Sequence, residues 1–166
     1  LSKQDSLNLR IATMAAYVSK RENIKNIYPF CKNPLNFVFI KNLKNELTSA
    51  DKFSEGLLKI LGKIQSIWEP SSKTTKGGYQ TLGNLFDNTD SEILKLQKII
   101  EKQIINYREV YKDSQDYFIK KWPIESKFRA WYVRLFKHGH QGSHIHPAGW
   151  LSGVFYLKVP KLLNKN

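Results

Sequence analysis

Ser143-His-Ile-His-Pro-Ala-Gly-Trp-Leu-Ser-Gly-Val-Phe-Tyr-Leu-Lys-Val159 is the stretch on which the reading of this chain turns. Trp150 to Val159 is rich in β-branched and aromatic residues and reads as a strand. Side chains alternate faces along a strand, so His144 and His146 would point to one side and could share an ion ~2 Å from each ring nitrogen. No His or Cys follows His146. The pair is therefore half of a metal site, and the expectation is a metalloenzyme domain cut off partway through its active site, with cuts before Leu1 and after the lysine-rich tail behind Pro160.

Working outward, all four histidines fall at 138, 140, 144 and 146. Clustered imidazoles suit iron, zinc, copper or nickel, and a pair from one strand fills two adjacent octahedral positions. Three other readings compete. A zinc site could use all four rings if His138 and His140 fold back across Gly139 and Gly142. His144 and His146 could simply hydrogen-bond in a turn before Pro147. A cupin barrel also carries His-x-His, but follows it, after three or four intervening residues, with a ligating glutamate, where this chain has Trp150 and Leu151.

Upstream, Leu7, Leu9, Ile11, Met14, Ala15 and Val18 suit one or two amphipathic helices, ended at Tyr28-Pro29 because proline disfavours helix in the residue before it. Asn36 to Asn42 reads as a short strand. Thr48 or Ser49 can cap a helix whose buried stripe is Phe53, Leu57, Ile60, Leu61, Ile64, Ile67 and Trp68, stopped by Glu69-Pro70. Ser71 to Gly83 is polar and glycine-bearing, and reads as a long functional loop. Thr89-Asp90-Ser91-Glu92 is a capping box opening a helix with Ile93, Leu96, Ile100, Ile104, Tyr107 and Tyr111 on one face, reaching at least Lys112. Phe128 to Lys137 alternates two occupied faces as a strand, and His138 to Pro147 is a glycine-punctuated turn. Early helices and late strands predict an α+β fold.

Composition narrows the classes. In 166 residues, 41% hydrophobic and 13% aromatic side chains exclude a disordered chain and predict a packed core. The single cysteine, Cys31, excludes an internal disulfide and a cysteine-rich zinc module, and fits a reducing, cytoplasmic setting. It reads as a buried thiol, not a nucleophile. No apolar run approaches the roughly 20 residues that span a bilayer. The formal charge of +13 is spread from Lys3 to Lys165 on the polar faces of helices, so solvated faces are expected and no nucleic-acid partner.

Arg134-Leu-Phe-Lys-His-Gly-His-Gln-Gly-Ser-His-Ile-His-Pro-Ala-Gly-Trp-Leu-Ser-Gly-Val-Phe-Tyr-Leu-Lys-Val-Pro160 resembles the core motif of iron(II)/2-oxoglutarate-dependent oxygenases that are often C-terminal to tetratricopeptide repeats. Lys76-Gly-Gly-Tyr-Gln-Thr-Leu-Gly-Asn-Leu-Phe86, the strand after Asn33-Pro34-Leu35 and the helix after Asp90 resemble the same family in the same order. The resemblance implies residues 1–32 as the helical tail of an upstream region and 33–166 as an incomplete oxygenase-like domain. That domain would be a partial double-stranded β-helix, a cupin-like jelly roll with amphipathic helices packed on its sheet, truncated at the C-terminus. It implies Fe(II) and 2-oxoglutarate as cofactors, with His144 as first iron ligand and His146 where prolyl-hydroxylase-like relatives carry aspartate. The third ligand and the basic residue for the distal carboxylate of 2-oxoglutarate are not in this chain; Arg134 is a possible substitute for the latter. Gln141, Asn84 and Ser152 sit in motif positions that could line the pocket, with turn or capping roles as the alternative. Trp131, Trp150, Phe155 and Tyr156 would form its aromatic core. The substrate would be a small molecule or a peptide, hydroxylated as 2-oxoglutarate is oxidatively decarboxylated. A noncatalytic metal- or ligand-binding module of the same shape is the other reading, and a basic nucleic-acid binder a third.

Overall fold

The computed structural model describes residues 5–47 and 49–159. Among these are four α-helices, α1 (Leu9–Arg21), α2 (Ala50–Leu61), α3 (Ser91–Val110) and α4 (Tyr117–Lys120), and three strands, β1 (Ser66–Trp68), β2 (Thr75–Thr81) and β3 (Val133–Gln141). The fold is thus mixed α and β, as the sequence predicts. The strands form one antiparallel sheet in the order β1-β2-β3. The chain gathers into two compact units, each drawn from separated segments.

One unit holds the described residues up to Lys41 with Lys98–Phe128 and Ser143–Ser152. Asn8 starts α1 by accepting from the amides of Arg10 and Ile11 at 3.0 and 3.2 Å, and Lys20 and Arg21 complement its C-terminal dipole. The helix stops at Arg21, short of the expected Tyr28-Pro29. Glu22 caps it and Asn23 turns left-handed at φ 53°, a conformation that breaks the helical run. The core here is aromatic: Tyr28, Phe30, Tyr107 and Phe118 are buried with Ala12 and Cys31, and Phe37, Phe39, Trp122 and Trp150 pack against them. Backbone bonds lock α4 to the Pro29-Phe30 segment, with the Phe118 amide donating to Phe30 O at 2.7 Å. The expected strand at Asn36–Asn42 does not form. Pro34 opens a 3-10 turn, Pro34–Phe37, and the carbonyls of Phe37 and Val38 accept from the Tyr107 and Tyr111 hydroxyls at 2.9 and 3.3 Å. Side chains satisfy backbone groups that a strand would have paired with a neighbour.

The other unit holds Asn42–Gln97, Arg129–Gly142 and the described residues from Gly153. Phe53, Leu57 and Leu61 form the buried stripe of α2, spaced at four-residue steps. Gly62 ends the helix, so Ile67 and Trp68 belong to β1 rather than to the helical stripe. Ser49 occupies the N-cap without a side-chain hydrogen bond; Thr48 lies outside the described residues. Asp90, rather than Thr89, supplies the side-chain oxygen at the start of α3, accepting from the Glu92 amide at 3.0 Å. Ile93 and Leu96 are buried as expected.

The sheet corrects the sequence reading most. The supposed loop Ser71–Gly83 contains the central strand β2, paired on both sides. β3 runs on through His138-Gly139-His140 to Gln141, where a turn was expected, because the register shifts between Lys76 and Gly78. This bulge is permitted by Gly77 at φ 60° packed on the backbone of Gly139. The strand expected over Trp150–Val159 does not form: among the described residues those positions have no ladder partner, and Val154 and Tyr156 are three-quarters exposed.

Candidate metal centre

The segment carrying His144 and His146 belongs to no helix or strand. It is fixed instead by the turn after it, where the Gly149 amide donates to His146 O at 2.9 Å, and by Trp150. The Trp150 indole donates to Phe118 O at 3.0 Å and sits edge-on to Phe30 at 5.1 Å. A partly buried aromatic anchor thus takes the positioning role expected of a strand.

The two imidazoles meet nonetheless. Their Nε2 atoms lie 3.1 Å apart, with ring centroids at 4.8 Å and planes at 83°. Two nitrogens each about 2.1 Å from one ion and about 90° apart would stand about 3.0 Å from each other. The same spacing suits an N–H···N hydrogen bond between a donating and an accepting tautomer. His146 is held below the usual imidazole pKa, first by burial and then by the neighbouring His144. Both influences favour the neutral ring, the form that ligates a metal.

Among the described residues, no group of three or more His, Cys, Asp or Glu side chains is arranged to hold an ion. The four-histidine zinc site therefore does not form there: His138 and His140 lie on β3, where His140 Nδ1 is 3.3 Å from His138 O. As donors, the paired nitrogens fit two adjacent positions of an iron coordination sphere and leave the others open.

The remaining candidates do other work. The Asn84 carboxamide caps a 3-10 turn, Leu85–Asp87, and accepts from the Ala130 amide at 2.9 Å, tying that turn to the approach to β3. Gln141 donates to Thr75 Oγ1 at 3.3 Å, and Thr75 donates to Gln80 Oε1 at 2.7 Å, a polar chain on the buried face of the sheet. Ser152 is exposed in an irregular stretch. Asn84 and Gln141 belong to the sheet unit, and His144, His146 and Ser152 to the aromatic one. Arg134 lies over the rings of Tyr79 and Phe136, at 5.4 and 5.0 Å from their centroids. Cys31 is buried, and its thiol is pushed up to about 11 by burial and by Asp116, which leaves it unreactive as expected. No helix among the described residues is long and apolar enough to cross a membrane.

Residues 129–166 match the model of a protein family described as "Putative 2OG-Fe(II) oxygenase". The matched stretch contains both His144 and His146, and the chain is similar to oxygenases of that type there. The resemblance at Lys76–Phe86 lies outside the match. No curated protein and no solved structure matches the chain.

Proposed function

We propose that this chain carries part of an Fe(II)- and 2-oxoglutarate-dependent oxygenase domain of the double-stranded β-helix type, in which His144 and His146 hold the iron through Nε2. The observation that carries the reading is the 3.1 Å approach of the two nitrogens within the one stretch that matches an oxygenase family. Iron would supply the activation of oxygen, with 2-oxoglutarate as the co-oxidised acid. The residues of this chain would supply two neutral donors on a turn held by Trp150. The third ligand and the cation for the distal carboxylate come from outside residues 5–159. A pair of imidazoles without the carboxylate usual at the second position leaves the ion one negative charge short of the 2-His-1-carboxylate set, which would shift its redox behaviour.

The test is succinate release from 2-oxoglutarate under oxygen by the complete gene product. Release abolished by His144→Ala and by His146→Ala supports the assignment; release unchanged in both variants contradicts it. A protein that binds iron through both rings and never releases succinate would match the noncatalytic metal-binding module.

A further inference from the structure

The register of the sheet sorts its side chains onto two faces with different character. Thr75, Gln80 and Gln141 hydrogen-bond together on one face, and Thr75 and Gln80 are buried. The alternate positions present Trp68, Tyr79, Arg134 and Phe136, which stand beside one another across the three strands through the pairs Trp68↔Tyr79 and Tyr79↔Arg134. Lys76 and His140, paired beyond the bulge, alternate to the same side. Ring centroids are 5.2 Å apart for Trp68 and Tyr79, 5.8 Å for Trp68 and Phe136, and 6.0 Å for Tyr79 and Phe136. Among the described residues, Trp68 and Phe136 are 47% and 49% exposed on this face. Beside it, Glu69 lies 3.9 Å from Lys76 and accepts from the Gly77 amide through its other oxygen.

We propose that this face binds single-stranded nucleic acid. Unpaired bases stack on aromatic side chains and on guanidinium planes whatever their sequence, while nearby cations meet the phosphates. An antiparallel sheet with three aromatics, an arginine laid over two of them and a lysine alongside presents those elements within one strand-to-strand span. An acidic peptide would have little use for three rings. The net charge of +13 adds a long-range attraction for any polyanion, and Arg134 and Lys76 focus it beside the rings. This departs from the sequence expectation, because lysines spread along the chain hide a patch built by pairing residues 68, 79, 134 and 136. It does not depend on the histidine pair or on iron.

Fluorescence anisotropy of end-labelled oligothymidylate and oligouridylate 20-mers, titrated with the chain over a range of salt, tests it. Phe136→Ala and Trp68→Ala each weaken binding, by between about 5-fold and 150-fold. Arg134→Gln lowers the slope of log affinity against log salt by about 0.7. Lys20→Ala, on α1, changes little, and circular dichroism shows each variant folded. The proposal is overturned if neither oligomer binds, or if the aromatic variants bind as well as the parent and only total charge matters. It is equally overturned if the chain self-associates in solution with Trp68 and Phe136 buried between copies.

Discussion

An alanine at Gly139 is expected to unseat the sheet. A Cβ built there meets the carbonyl oxygen of Gly77 far inside van der Waals contact, and lies 3.0 Å from Phe136 O and 3.1 Å from the carbonyl carbon of Gly77. All three are backbone atoms, so no side chain can swing aside, and β2 and β3 must part at the bulge. Overpacking of this kind costs about 1–3 kcal/mol, and losing one or two ladder hydrogen bonds beyond the bulge adds about 0.5–1.5 kcal/mol each. The sum is about 1.5–6 kcal/mol, a fall in Tm of roughly 3–24 °C for a chain of this size. Gly153→Ala is the matched control, since its added Cβ has nothing within 4 Å and the position has no left-handed φ. Thermal unfolding followed by far-ultraviolet circular dichroism compares the two. A Gly139→Ala protein as stable as Gly153→Ala would refute the close approach of Gly77 and Gly139, and with it the course of β3 through the histidines.

Trp150→Ala removes the indole bond to Phe118 O and the contact with Phe30, and is expected to cost about 2–4 kcal/mol, whereas Trp150→Phe keeps most of the packing; urea unfolding reads both. Tyr107→Phe leaves the Phe37 carbonyl without its 2.9 Å donor and should cost about 0.5–1.5 kcal/mol by the same measurement. The Cys31 thiol has an ordinary value of 9.0 and is raised to about 11 in the fold, so the folded state favours its neutral form. That contribution is complete below pH 9 and is lost as pH rises through about 11, so Cys31→Ala should flatten the alkaline fall in stability over this window, and native Cys31 should resist a thiol reagent at pH 8.

The periods of α1, α2 and α3 were legible, but α1 and α2 stop earlier than read, at Arg21 and Leu61, and the short α4 has no period to read. α1 and α3 announce themselves by three- and four-residue apolar steps, and the buried Ile93, Leu96 and Tyr107 fall on the face that those steps define. The sheet was obscured by its own composition. β2 reads Thr-Lys-Gly-Gly-Tyr-Gln-Thr, whose buried side chains are not apolar: Thr75 bonds Gln80, and Thr81 accepts from the Tyr132 amide. Its glycines look like loop residues, but Gly77 and Gly139 are there to let two backbones approach at a bulge. Conversely, Asn36–Asn42 and Trp150–Val159 have strand composition without a strand neighbour, and composition cannot say whether a partner exists. The two imidazoles meet, but not through the strand alternation that the spacing suggested. What holds them was not legible, since the Trp150 anchor depends on Phe30 and Phe118, far away in sequence.

The central claim is that His144 and His146 grip one ion. Anaerobic loading of the chain with Fe(II), followed by X-ray absorption at the iron edge, measures it most directly. The account predicts one iron per chain with two imidazole ligands at about 2.1 Å, and loss of that signature in His144→Ala and in His146→Ala. Imidazole scattering that persists with both rings replaced, or iron bound with no histidine in its sphere, would contradict it.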